Sequence, residues 1–229
     1  MAIILNIETS TKVCSVALAK NKEVIDLIEH EDDNYSHSEK LNLFILELLE
    51  KNNLSFDDLD AVAISEGPGS YTGLRIGVST AKGICYSKDI PLISVNTLEA
   101  LCKLVSIEAG YKIPMIDARR MEVFMSVLTK NDEIHQEQTN EIISEDSFET
   151  FGDDVLYLFG NGAFKLKKLF STRSNIHFID NIKCSAKGMV HIAYQKFLTK
   201  DFVDTAYFEP NYGKEFYTTA KKIKSSTLS

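Results

Sequence analysis

The chain has 229 residues, 44% hydrophobic and 25% charged, with no low-complexity tract, so it can close a core of its own and bury roughly 70–75% of its unfolded surface. A formal net charge of −8 and a pI near 5.2 set a repulsive mean field before any polyanion, which argues against nucleic acid as a principal direct partner. Four widely spaced cysteines without a CxxC pair read as reduced core thiols, and no apolar run reaches the roughly 18 residues of a membrane span.

Ala2 to Ile7 is an apolar run ended by Glu8, Thr9 to Lys12 is polar, and Val13 to Ala19 and Glu23 to Ile28 favour strands. The pattern predicts a three-strand meander with turns at Ser10–Thr11 and Asn21–Lys22. Ser36 and Glu39 then form a capping box ahead of Leu41, Phe44, Ile45, Leu48 and Leu49 at helical spacing, which predicts a helix over about 38–52. Asp60 to Ser65 reads as a short strand, and the turn Gly67-Pro68-Gly69-Ser70 feeds a second helix running to about Ser87. Pro91 to Val95 is the next strand, and Asn96 or Thr97 caps a helix expected to end at Gly110.

The second half repeats the opening. Ile113 to Ile116 ends in Asp117, Ala118-Arg119-Arg120 is a polar turn, and Glu122 to Leu128 alternates as a returning strand. ILNIETSTKVCSVAL and IPMIDARRMEVFMSVL share this plan, which points to an internal duplication. Val155 to Phe159 follows as a strand, Gly160-Asn161-Gly162 as a turn, Ala163 to Phe170 as a helix and Ser185 to Leu198 as another. The fold class read from this is α/β, a duplicated actin-like ATPase fold whose two similar domains, 1–109 and 110–229, each open with a hairpin or meander. Lys214, Lys221, Lys222 and Lys224 make the tail basic; it reads as a solvated terminus, with a phosphate-contacting arm or packing back onto the first half as alternatives.

Chemistry is sparse. GPGSYTG between a strand and a helix suggests an anion cradle, but no Lys-Ser or Lys-Thr pair follows and the spacing is not GxGxxG, so a tight connection that aims the helix is the preferred reading. Glu8, Ser10, Gly67, Gly69 and Asp117 form a weak nucleotide or anion set, in which Glu8 and Asp117 could face each other across a cleft as a metal or acid–base pair, although the reading as polar ends of two core strands is preferred. The first turn, Glu8-Thr9-Ser10-Thr11-Lys12, lacks the glycine that lets a backbone approach phosphates. The five histidines show no i, i+4 pair, no GxSxG elbow exists, and no cysteine has a local activating set, so no catalytic or metal residues are assigned. Such an inventory favours a protein that works by binding.

The positive signal lies in the first two helices. Gly73, Gly77 and Ala81 recur every four residues, and a glycine inside a helix costs about 1 kcal/mol relative to alanine, so this stripe serves the close approach of a neighbour. Whether that neighbour is within the fold or on another subunit, the stripe leaves open. Leu41, Leu43, Phe44, Ile45, Leu46, Leu48 and Leu49 cover more than one core-facing stripe, which suggests an association surface.

These segments carry a family resemblance. NIETST and CSVAL at the start, HSEKL at His37 to Leu41, SEGPGSYTGLRIGVSTAKG at Ser65 to Gly83, VNTLEAL at Val95 to Leu101, DARRMEVF at Asp117 to Phe124 and EPNY at Glu209 to Tyr212 resemble the TsaB family. The resemblance implies an actin-like, cytoplasmic, cofactor-free subunit. It implies a homodimer when alone and a heterodimer with the catalytic paralogue TsaD, which carries an HxxxH metal site and transfers a threonylcarbamoyl group to tRNA. TsaE, an ATPase, joins the larger complex, and tRNA is met only through that complex. In this sequence the implied interface is His37, Leu41, Phe44 and Leu48 on the first helix with Gly73, Ile76, Gly77, Thr80 and Ala81 on the second. Met121, Gly213 and Lys214 depart from the residues the family often shows there. The alternative reading is an actin-like ATPase or phosphotransferase using Glu8 and Asp117.

Overall fold

The structure, a computed structural model, describes residues 1–32 and 37–214. Strands β1 (Ile3–Glu8), β2 (Val13–Lys20) and β3 (Glu23–Glu31) form an antiparallel meander, and β4 (Ala61–Gly67) and β5 (Leu92–Asn96) add in parallel beyond β1. Helices α1 (His37–Lys51) and α2 (Tyr71–Lys88) connect β3 to β4 and β4 to β5, and the six-residue α3 (Thr97–Cys102) follows. A second sheet contains β6 (Tyr111–Asp117), β7 (Glu122–Thr129), β8 (Ile134–Ile142), β9 (Leu156–Phe159) and β10 (Ile176–Ile179), and α4 (Ala186–Thr199) closes the described helices.

The two sheets have the same plan. Their orders are β3-β2-β1-β4-β5 and β8-β7-β6-β9-β10, each an antiparallel three-strand meander whose first strand also pairs in parallel with the fourth. The likeness of the two opening segments therefore extends to whole sheets.

The central strands of the first sheet are buried on both faces, which is why they read as largely apolar runs, with Asn6, Ser15 and Ser65 as buried polar exceptions. Leu5, Ile7, Val16 and Leu18 meet Leu41, Ile45, Leu48, Val78 and Ala81 of α1 and α2. On the other face, Ile4, Ala17, Ala61 and Ala63 meet Ala186, Met189, Val190 and Ala193 of α4, small residues that let this C-terminal helix lie close to the sheet. Leu98, Leu101 and Cys102 of α3 join Ile116, Phe124 and Leu128 of the second sheet, so α3 packs between the two sheets.

Two expectations are corrected. The helix expected to reach Gly110 ends at Cys102, where the amides of Leu104 and Val105 turn to the carbonyls of Leu101 and Cys102 and the Val105 carbonyl accepts from Lys112 Nζ at 3.0 Å. Ala163 to Phe170 forms only a one-turn 3-10 helix at Phe164–Leu166 followed by turns; Leu166 and Phe170 still reach the second core, while Phe164 stays in solvent. Strands β8 and β10 are additional to the sequence reading. β8 is an exposed edge strand of sequence IHQEQTNEI, without the apolar alternation that marks a half-buried strand. Ser36 of the expected capping box and Lys221, Lys222 and Lys224 of the tail lie outside the described residues.

Candidate functional site

The first turn folds onto the start of α2. Ser70 caps that helix by accepting from the Gly73 amide at 3.3 Å, and its own amide donates to the Ser10 carbonyl at 2.6 Å. Side chains added at Gly69 or Gly73 would overlap the carbonyls of Ser10 or Thr9, so GPGSYTG brings the helix start against the turn's backbone. Gly67, at φ +111, takes a conformation that L side chains rarely adopt, and it faces the Asn211 carbonyl. The turn is thus filled by the protein's own backbone and serves as a tight connection that aims α2.

Glu8 is fully buried. Its Oε1 accepts from the Ser10 amide at 2.6 Å and from Ser65 Oγ at 3.1 Å, while Oε2 has no hydrogen-bond partner among the described residues. Burial pushes this carboxyl above its ordinary range, more than the hydrogen bonds from Ser10 and Ser65 pull it back. Asp117 is exposed, accepts from the Arg119 amide at 3.0 Å and is ion-paired with Lys165. The two carboxyls have different partners and opposite exposures, so they do not form a shared acid–base pair. Ser10 is buried beside Glu8.

The cysteines are likewise sealed: burial pushes the thiols of Cys14 and Cys85 up to about 11 and about 12, keeping both protonated and weakly nucleophilic near neutrality. Among the described residues no three His, Cys, Asp or Glu side chains are grouped to hold a metal ion. A cavity of about 520 Å³ lies at the carboxyl ends of β9 and β10 against Glu31, but the lysines on its wall, Lys167 and Lys183, are ion-paired with Asp180 and Glu31. No described helix is long and apolar enough to cross a membrane.

The helices divide the remaining sequence-predicted residues into two sets. His37, Leu41 and Leu48 on α1 and Gly73, Gly77 and Ala81 on α2 are buried within the chain. His37 Nε2 donates to the Val13 carbonyl at 3.3 Å, and a Cβ at Gly77 would overlap the Thr9 hydroxyl and lie 2.9 Å from Ile64 Cδ1. The neighbour that the small-residue stripe admits is the chain's own first hairpin. Phe44, Ile76 and Thr80 are half-buried and border the outward side. That side also presents Leu43 at 62% and Leu46 at 52% exposure on α1 and Tyr86 at 87% on α2. A groove of about 400 Å³ runs between the helices past Asn42, Ser79, Thr80 and Gly83, and a Cβ at Gly83 would meet nothing within 4 Å.

This architecture is shared with solved structures. YeaZ from Pseudomonas aeruginosa superposes with a TM-score of 0.76 at 21% identity, covering 93% of this chain and 100% of that one, a likeness of fold. Among curated proteins, the tRNA threonylcarbamoyladenosine biosynthesis protein TsaB of Haemophilus influenzae is 28% identical over 231 residues, 95% of this chain and 96% of its own length. A tRNA N6-adenosine threonylcarbamoyltransferase of Bacillus thuringiensis is 36% identical over 109 residues, 41% of this chain but 32% of that protein. The family model described as TsaD, tRNA N6-adenosine threonylcarbamoyltransferase, matches residues 31–223. The chain belongs to this family, and over nearly its whole length it is similar to TsaB. Its fold is the duplicated actin-like fold.

The spacing of α1 and α2 in the sequence did not by itself separate their buried faces from their exposed ones. Leu43 and Leu46 were legible as surplus aliphatics on α1. Gly83 and Tyr86 were not singled out, although Gly83 falls outside the four-residue series of Gly73, Gly77 and Ala81 and so points away from the sheet. Arg75 and Tyr212, which meet at 3.0 Å between Nε and Oη, come from residues 137 positions apart, and no local pattern could join them.

Proposed function

We propose that this chain is the accessory subunit in synthesis of N6-threonylcarbamoyladenosine on tRNA, pairing with a TsaD-type transferase through the outward face of α1 and α2. It supplies no catalytic group. The observation that carries this reading is the exposed pair Leu43 and Leu46 on α1, the helix whose Asn42 lines the open groove with Gly83 of α2. Full burial of a leucine is worth about 1.5–3 kcal/mol, so two such anchors and a knob seated in the groove supply a usable part of a specific interface. Alone, the same face pairs two copies. TsaE joins the larger assembly, tRNA is reached only through the complex, and the work is done in the cytoplasm. The net charge of −8 supports that indirect route to tRNA.

The pairing activates by selection among partner states. A subunit without reactive groups raises its partner's rate only by binding the productive arrangement more tightly than the idle one. The sealed Glu8 and the Asp117 tied to Lys165 support this division of labour, since neither is presented as an acid or base. We place the division of the chain near residue 110, with α1 and α2 in the first part. Calorimetric titration of the chain into its cognate TsaD-type transferase tests the reading. Binding that weakens at least about 30-fold in Leu46→Glu, the cost of burying an unpaired carboxylate at an interface, is expected. Equal affinity of the two proteins would remove α1 from the interface.

A further inference from the structure

Residues 203–214 cross the molecule from one sheet to the other along α2. Val203 bridges to Leu92 on β5, its amide donating to the Leu92 carbonyl at 3.0 Å, and Val203 and Phe208 pack against the core beneath α1 and α2. Lys82 of α2 then donates from Nζ to the carbonyls of Ala206 and Phe208 at 3.0 and 3.1 Å. Farther on, the Asn211 amide donates to the Glu66 carbonyl at 2.7 Å, just ahead of the turn that starts α2. The Tyr212 ring lies 4.4 Å from the Tyr71 ring between centroids, and the Arg75 guanidinium sits 4.0 Å over Tyr71 while donating to the Tyr212 hydroxyl. Beyond it Lys214 is ion-paired with Glu122 on β7 and donates to the Ala118 carbonyl at 3.3 Å.

α2 needs such support. Its three glycines, Gly73, Gly77 and Gly83, each cost about 1 kcal/mol of helix propensity relative to alanine. The strap grips α2 at two places: at its first turns through Tyr71 and Arg75, and in its second half through Lys82. These gripping side chains lie to one side of the helix, while Thr80 and Gly83 line the groove on the other.

We propose that the strap is a clamp that sets the pose of α2, and that Tyr212 is a positioning residue for the pairing face, acting through Arg75 and Tyr71 without touching the partner. This rests on the pairing reading above. Loss of the ring frees the first turns of α2, and the partner must then order them at its own cost.

The test measures amide hydrogen exchange of the free chain and its titration with the cognate TsaD-type transferase, for wild type, Tyr212→Ala and Tyr212→Phe. Tyr212→Ala is expected to speed exchange over residues 71–77 about tenfold and to weaken pairing about tenfold, with the first-sheet amides unchanged. Tyr212→Phe, which keeps the ring stack and loses the bond from Arg75, is expected to fall between. Unchanged pairing overturns the proposal, and so does weakened pairing with unchanged exchange, which would make Tyr212 a partner contact. A wild-type chain that fails to pair at all defeats the functional reading instead, and the exchange measurement then decides whether the clamp exists.

Discussion

Two glycines of α2 should respond to alanine in opposite directions. In a helix interior the exchange gains about 0.8–1 kcal/mol, because alanine gives up less backbone freedom on folding. At Gly83 the added Cβ meets nothing within 4 Å, so the gain is realised in full. At Gly77 it overlaps the Thr9 hydroxyl and crowds Ile64, both buried. Extra volume in a packed core costs about 1–3 kcal/mol, which offsets the propensity gain and leaves a net loss of up to about 2 kcal/mol. The two variants are therefore separated by about 1–3 kcal/mol. Urea unfolding reads this as a raised midpoint for Gly83→Ala and a lowered one for Gly77→Ala at constant m. Equal stabilisation by both would refute the placement of the small-residue stripe against the first hairpin.

Other outcomes follow from the same geometry. Gly83→Trp, filling the groove from within, should leave the unfolding midpoint near that of wild type and abolish pairing with the transferase; pairing at wild-type affinity would show that the groove takes no partner side chain. Glu8 holds its proton in the folded chain at pH values where the unfolded chain has released it, so stability should fall as pH rises from the ordinary carboxylate range through the raised folded value. Glu8→Gln removes that dependence, so its melting temperature should match wild type at low pH and exceed it increasingly as pH rises above the ordinary carboxylate range; a difference that does not change with pH would contradict the assignment. Burial pushes the Asp132 carboxyl up, but hydrogen bonds from Lys103 and Lys112 bring it net below its usual range, so its contribution is present above the unfolded value and lost as pH falls through the folded one. Asp132→Asn, which strands the buried Lys112 ammonium, should cost about 3 kcal/mol at neutral pH, and adding Lys112→Met should recover most of it; a loss under about 1 kcal/mol would mean water replaces the partner.

The legible parts of the fold were those in which burial imposes a period. The largely apolar run of β1, interrupted by Asn6, and the spacing of Leu41, Ile45 and Leu48 on α1 reflect strands buried on both faces and a helix buried on one. β8 carried no such mark, because an edge strand with both faces half in water needs no apolar alternation. At Ala163 to Phe170 the apolar spacing was real, since Leu166 and Phe170 do reach the second core, but successive tight turns deliver them as well as a helix would. The stripe of Gly73, Gly77 and Ala81 showed that something approaches α2 closely; what approaches it depends on a hairpin more than sixty residues away in sequence. Apolar width on α1 was a better guide to the outward face, because more aliphatic side chains were present than one core-facing side can hide. Glu8 and Asp117 stand as the polar ends of two strands, the first closed under the turn that follows it and the second drawn to Lys165.

Whether the chain enables chemistry it does not perform is decided by reconstituting tRNA threonylcarbamoylation with the cognate TsaD-type transferase and TsaE. The account predicts that modified tRNA accumulates with the wild-type chain and with Glu8→Gln, and that product falls to the level without the chain when Leu43 and Leu46 are both replaced by glutamate. Full activity without the chain, or with that double variant, would contradict it.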